Sequence, residues 1–233
     1  MSSEAPFVFI LGMHRSGTSC LAGALERCGL YLGDVRRTGR FNARGYYELS
    51  QVQHIHDQIL GLNRGAWHCP PLEVQVHPHH SALLADIANG LARRRPCGVK
   101  DPRLLLLLDA WTRLAPPPHC LAGTFRHPLA VAKSLLERNA IPLEDGLRLW
   151  LDYNTRLVQW HTRDPFPLIA YSLVEVEDYC QRVARLAASL GLKPQLARIR
   201  RFISSELEHH ALADESVPAE CQPVYHYLRE NAW

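Results

Sequence analysis

Apolar residues in this 233-residue chain alternate between short unbroken runs and longer stretches at helical spacing. Phe7–Leu11, Cys97-Gly-Val-Lys100, Cys120–Phe125 and Pro167–Tyr171 are the short runs. Each is too brief for a stable helix, is bounded by breakers, and predicts a strand buried on both faces. Between them the period lengthens. Leu21, Ala22, Leu25 and Cys28 share one face of a helix that starts at Thr18 and stops at Gly29. Further helices are predicted over Leu49–Leu62, Ser81–Arg94, Pro102–Leu114, from Pro128 through Leu136, over Pro142–Arg163 and over Val174–Leu190. Residues 33–47 and 63–78 read as irregular, Pro116–Pro118 as a rigid turn, and the last 30 residues as polar with no assigned element. Strands alternating with helices predict a three-layer α/β fold, a central parallel β-sheet flanked by helices. We read residues 1–233 as one domain, with a core over about 7–190 and a helical or irregular extension over about 191–233.

The first strand runs into Gly12-Met-His-Arg-Ser-Gly-Thr-Ser19. Gly12 permits a bend, and the next helix opens inside this stretch. A helix N-terminus offers unpaired amides and a positive dipole end, which favours an anion. Gly17 allows close backbone approach, Arg15 adds a fixed charge, and Ser16, Thr18 and Ser19 add hydroxyls. Gly12 and Gly17 keep the glycine spacing of a Walker A loop, yet Thr18 stands where its lysine belongs. The cation sits before the second glycine instead, which argues against ATP or GTP hydrolysis. The loop suits a phosphate or a group of the same shape; the plain alternative is a strand-to-helix turn without a ligand.

Composition narrows the picture modestly. A net charge of +3 suits a small anionic ligand and gives no sign of a nucleic-acid surface. Seven cysteines without C-x-x-C spacing argue against a disulfide framework or zinc knuckle and fit a reducing cytoplasm. The start, Met-Ser-Ser-Glu-Ala-Pro, has no basic region of a signal peptide, and the apolar run Leu104–Ala110 is too short to span a membrane. His77, His79, His80, His209 and His210 lie in polar surroundings, and no metal is expected there.

Two more points fall at strand ends, where a parallel sheet places its ligands. Arg126 ends the third predicted strand, with Ser134 eight residues on, about two helical turns away. An arginine plus a hydroxyl would make a second phosphate clamp; the plain alternative is an arginine at a strand end and a solvent-facing serine. Lys100 ends the second strand and is placed to neutralise transferring charge. Asp101 after it is a candidate helix cap.

Taken together, Gly12–Ser19, Gly45-Tyr-Tyr-Glu48, Lys100-Asp-Pro-Arg103 and Arg126-His-Pro128 with Ser134 resemble the sulfotransferase superfamily, most closely its bacterial cytosolic members. The resemblance covers residues 7–190 and implies a P-loop-like fold. It implies 3'-phosphoadenosine 5'-phosphosulfate (PAPS) as co-substrate, with 3',5'-ADP (PAP) as product and no metal. The 5'-phosphosulfate would lie on His14, Arg15, Ser16, Gly17, Thr18 and Ser19, and the 3'-phosphate on Arg126 and Ser134. Arg15 occupies a place often held by lysine, and can stabilise charge but not donate a proton. Arg15 and Lys100 would supply the catalytic charges. Glu48, following the loop after Asn42, is the candidate base, with His54 and His56 as rivals and a dipole-stabilising charge as the plain alternative for Glu48. Tyr46, Tyr47 and Trp67 are candidate stacking residues for a sugar or aromatic acceptor, with core packing as the alternative for each, and Tyr171 is a candidate edge residue with burial as its alternative; the acceptor would be a small carbohydrate, lipid or secondary metabolite. Two other readings stay open, a non-catalytic nucleotide-binding protein of the same fold and a P-loop small-molecule kinase.

Overall fold

The structure is a computed structural model and describes residues 5–39, 45–172, 175–204 and 216–233. Asn42, Val174 and the pair His209–His210 lie outside the described residues. Four strands, β1 (Phe7–Leu11), β2 (Cys97–Lys100), β3 (His119–Phe125) and β4 (Leu168–Ala170), form a sheet in the order β2-β1-β3-β4. All three pairings are parallel, with Ile10 beside both Lys100 and Ala122, and Phe125 beside Ala170. The strands therefore release Leu11, Lys100, Phe125 and Ala170 toward the same edge.

Helices cover both faces. They are α1 (Thr18–Arg27), α2 (Ser50–Leu62), α3 (Pro78–Ala92), α4 (Leu104–Leu114), α5 (Pro128–Asn139), α6 (Leu143–Arg163), α7 (Val176–Ser189), α8 (Leu196–Ser204) and α9 (Gln222–Glu230). The pleat of β1 explains the layering. Phe7, Phe9 and Leu11 point into a core shared with α2 to α6 and α9, whereas Val8 and Ile10 point into a core shared with α1, α7 and α8. All five are completely buried, which is why the strand reads as an unbroken apolar run rather than an alternating one.

Element ends differ from the sequence reading for identifiable reasons. The helix expected from Ser81 starts at Pro78, because His77 Nδ1 accepts the His79 amide at 3.2 Å and proline suits the first turn. The helix expected from Pro102 starts at Leu104, because Asp101 closes a turn by accepting the Arg103 amide at 2.8 Å. The extension read as helical or irregular holds α8, and the polar last 30 residues hold a short 3₁₀ turn at Ala219–Cys221 and α9. It is anchored by Tyr225 against Phe125, His127 and Trp150, and by the Trp233 amide on Leu168 O at 2.9 Å beside β4. Among the described residues no helix is long and apolar enough to cross a membrane, and no group of three or more His, Cys, Asp or Glu is placed to hold a metal ion.

A candidate anion-transfer site at the carboxyl edge of the sheet

From β1 the chain leads toward β2 on one side, and from β3 it leads to β4 on the other. The crevice between the carboxyl ends of β1 and β3 is thus the topological switch point, where parallel α/β sheets bind ligands. The loop 12–19 fills it. Gly12 (φ 151°) has no room for a side chain, since a Cβ would stand 2.5 Å from Thr124 O. Arg15 (φ 66°) and Gly17 (φ 84°) are both left-handed, and they turn the chain sharply into α1. Gly17 is the N-cap of α1 and supplies no side-chain cap to the first turn of the helix. A Cβ on Gly17 would stand 2.3 Å from the Tyr171 ring. The glycine thus makes room for the tyrosine packed against it.

Ser16 is the clearest sign of an intended guest. Its carbonyl accepts Thr124 Oγ1 at 3.1 Å and its amide reaches Met13 O at 3.3 Å, yet its hydroxyl is wholly buried with no partner. A buried polar group left unpaired costs about 1–3 kcal/mol.

Two cations flank this loop on the β3 side. Arg15 Nε donates to Ser134 Oγ at 2.8 Å, joining two residues that the sequence reading gave to different phosphates. Arg126 reaches Arg15 O at 3.5 Å and lies over the Tyr171 ring at 5.5 Å, while its own carbonyl is held by Trp150 Nε1 at 3.0 Å. Burial, and then the charges of Arg138 and Arg126, hold the Arg15 guanidinium below its ordinary value. Burial does the same to Arg126. Arg138 went unread in the sequence, although it sits four residues after Ser134 and so shares its helix face.

On the β2 side the charges are balanced. Lys100 is buried, and its Nζ donates to Glu48 Oε1 (2.6 Å), Tyr46 O (3.0 Å) and Ser19 Oγ (3.1 Å). Those three bonds use every proton of the ammonium. Ser19 Oγ in turn donates to Tyr46 O at 3.1 Å. Glu48 is buried, and its other oxygen lies 3.8 Å from Arg36. It precedes α2 rather than lying within it, so its partner is Lys100 and not the helix end.

The histidines part company. His54 is exposed on α2. His56 is buried, and its Nε2 accepts Trp111 Nε1 at 2.8 Å, which puts the ring proton on Nδ1. That nitrogen faces Asp101 Oδ1 at 3.5 Å, too long for a closed hydrogen bond. Both nitrogens of His56 are thus turned to the protein interior. Burial pushes the Asp101 carboxyl up, but His56 and Arg103 outweigh it and hold the carboxyl well below the usual range. Asp101 is not the helix cap expected, since Arg103 is the N-cap of α4; it closes the turn before the helix and binds Arg103 Nη1 at 3.2 Å. His14 stacks on Trp67 at 4.4 Å, with Tyr153 edge-on at 6.0 Å. The residue keeps some exposure, but its Nε2 is buried and unpartnered. Burial, with the charge of Arg103, holds its imidazole well below the ordinary range and hence neutral.

The candidate stacking residues also separate. Tyr47 is core, edge-on to Phe202 and accepting Arg27 Nη1 at 3.2 Å. Tyr46 lies between the guanidinium groups of Arg36 (5.1 Å) and Arg138 (5.4 Å), and Trp67 is half-buried on His14. Tyr171 is half-buried beside Gly17. A cleft of about 560 Å³ between α4, α6 and residues 72–76 is lined by none of the loop residues.

No family model matches the chain, and no curated protein matches its sequence. Solved structures do. The sulfotransferase domain of the Synechococcus PCC 7002 olefin synthase aligns with a TM-score of 0.58 at 17% identity, covering 100% of this chain and 97% of that one. The fold is that of a sulfotransferase domain. Sulfotransferase STF1 of Mycobacterium tuberculosis H37Rv aligns with a TM-score of 0.47 at 17% identity, over 98% of this chain and 77% of that one.

Proposed function

We propose that this chain is a sulfotransferase that moves a sulfuryl group from PAPS to a hydroxyl or amine of a small acceptor. One observation carries the reading: Arg15, Arg126 and Ser134 converge on a helix-opening loop whose Ser16 hydroxyl is buried without a partner. An anion with two phosphate-like ends fits that donor set, because a burial-strained pair of guanidinium groups gains most from a guest of opposite sign. Arg126 and Ser134 would hold the 3'-phosphate. The amides that open α1, with Arg15, Ser16, Thr18 and Ser19, would hold the 5'-phosphosulfate. When bound, PAPS supplies the sulfuryl group and a phosphate leaving group.

The remaining chemistry belongs to the chain. Arg15 and Lys100 offer fixed positive charge where negative charge grows, the usual source of most stabilisation in such transfers. Glu48 takes the acceptor's proton. As the structure stands it shares Lys100, so an anion that draws the ammonium toward the loop releases the carboxylate for that task. The acceptor class extends to carbohydrates, lipids and secondary metabolites. A reducing, cytoplasmic setting belongs to the same proposal, supported by a cysteine pattern without disulfide or zinc-knuckle spacing.

Calorimetric titration with PAP, run beside ATP–magnesium, tests the donor half. Micromolar PAP binding without an ATP response is expected. Folded protein that ignores PAP would sink the reading, and magnesium-dependent ATP binding would favour a kinase. For the acceptor half, Glu48→Gln is expected to keep PAP affinity and abolish PAPS turnover. Normal turnover would remove Glu48 as the base, and PAP binding without turnover by the unaltered chain over a broad acceptor panel would favour a non-catalytic nucleotide-binding protein.

A further inference from the structure

Arg138 has no part in the reading above, yet its position singles it out. On α5 it follows Ser134 by four residues, one turn further along the same face and about 6 Å along the axis. Its guanidinium carbon lies 5.4 Å from the centroid of the Tyr46 ring. The carbonyl of the same Tyr46 receives Lys100 Nζ at 3.0 Å and Ser19 Oγ at 3.1 Å. Tyr46 is therefore a bracket, holding Lys100 by its backbone and Arg138 by its ring, both beside the first turn of α1. Arg126 stands elsewhere, at the end of β3 over Tyr171.

The electrostatics agree with this layout. Among neighbouring charges, that of Arg138 acts most strongly against the Arg15 guanidinium, with Arg126 next. Arg138 also bears on His14, on the side of the loop that faces Lys100 and Arg103. Two arginines thus approach Arg15 from different directions, one from the strand end and one from the side of Lys100.

We propose that Arg138 is a third cation of the transfer site, contacting the sulfuryl group itself and not the nucleotide phosphates assigned to Arg126 and Ser134. The inference rests on the PAPS reading, and it makes Tyr46 a positioning residue for two cations at once. Lys100 and Arg138 then both stand on the Tyr46 side of the loop, and with Arg15 they set positive charge around the moving group.

The test needs no acceptor. Dissociation constants for PAP and PAPS are measured for the unaltered chain, Arg138→Gln, Arg138→Lys and Arg126→Gln. The two ligands differ only in the sulfuryl group, so their affinity ratio isolates its contacts. A charged hydrogen bond predicts that the unaltered chain binds PAPS about tenfold more tightly than PAP. Arg138→Gln is expected to bring that ratio close to one with PAP affinity nearly unchanged. Arg138→Lys, which keeps the charge and guards against a folding artefact, should retain part of the ratio. Arg126→Gln should weaken both ligands together and leave the ratio intact. If Arg138→Gln keeps the full ratio, or loses PAP affinity as Arg126→Gln does, the assignment of Arg138 is overturned while the donor reading survives. A ratio near one in the unaltered chain overturns it as well. If the unaltered chain binds neither ligand, the donor reading falls, and Arg138 falls with it.

Discussion

The two flanks of the loop 12–19 carry similar cations in opposite circumstances. On the β3 flank, Arg15 is satisfied by a neutral hydroxyl and Arg126 by a backbone carbonyl and an aromatic face. On the β2 flank, Lys100 is closed against a carboxylate, with every proton committed. The first flank holds surplus charge, and an anion taken in there, as proposed, would lower its free energy. The second is already neutral without a ligand, so its lysine stabilises the fold and would reach an anion only by giving up a partner. Burial alone does not mark a functional cation; the sign and strength of its partners decide whether it serves folding or waits for a ligand.

Substitutions sharpen that contrast. The largest effect on stability is expected on the closed flank. Lys100→Met leaves Glu48 buried with only the distant Arg36, and loss of one partner from a buried pair costs about 3–5 kcal/mol. Urea unfolding should show a loss near the lower end, since Arg36 remains; a loss under about 1 kcal/mol would erase the distinction drawn here. On the open flank the effect should move from folding to binding. Arg126→Ala is expected to weaken PAP by about 1.5–3 kcal/mol, the scale of a charged hydrogen bond, with a far smaller change in melting temperature than Lys100→Met. Unchanged PAP affinity would withdraw Arg126 from the 3'-phosphate. Smallest is Ser16→Ala. Removing an unpaired buried hydroxyl should leave stability level or slightly raised, yet reduce PAP affinity by about 0.5–1.5 kcal/mol. Lost stability in that variant would mean that the hydroxyl already has a structural partner.

How much of this was legible beforehand follows the range of each interaction. β1 and β2 carry the bounds expected from sequence, because both are apolar runs closed by breakers and buried on both faces. Once the sheet is parallel, Arg15, Lys100 and Arg126 must emerge at one edge, so the loop and its cations could be found from local signals. Their partners could not. Arg15 and Ser134 are 119 positions apart, and Lys100 and Glu48 are 52 apart. No periodicity reports that the arginine meets a hydroxyl and the lysine a carboxylate. α9 stayed hidden for a related reason: its apolar residues are few, and Tyr225 earns its place only by packing on Trp150 and Phe125, far off in sequence. Arg138 was within reach, since the four-residue step from Ser134 was there to be followed.

The threefold grip of Lys100 has a thermodynamic consequence for the order of events. An anion engages that ammonium only by displacing Ser19, Tyr46 O or Glu48. Whichever ligand arrives first meets the cost of that exchange, and the next finds it already done. In the proposed reaction donor and acceptor would thereby be linked as heterotropic effectors, and linkage is reciprocal: the factor by which PAP tightens an acceptor would equal the factor by which that acceptor tightens PAP.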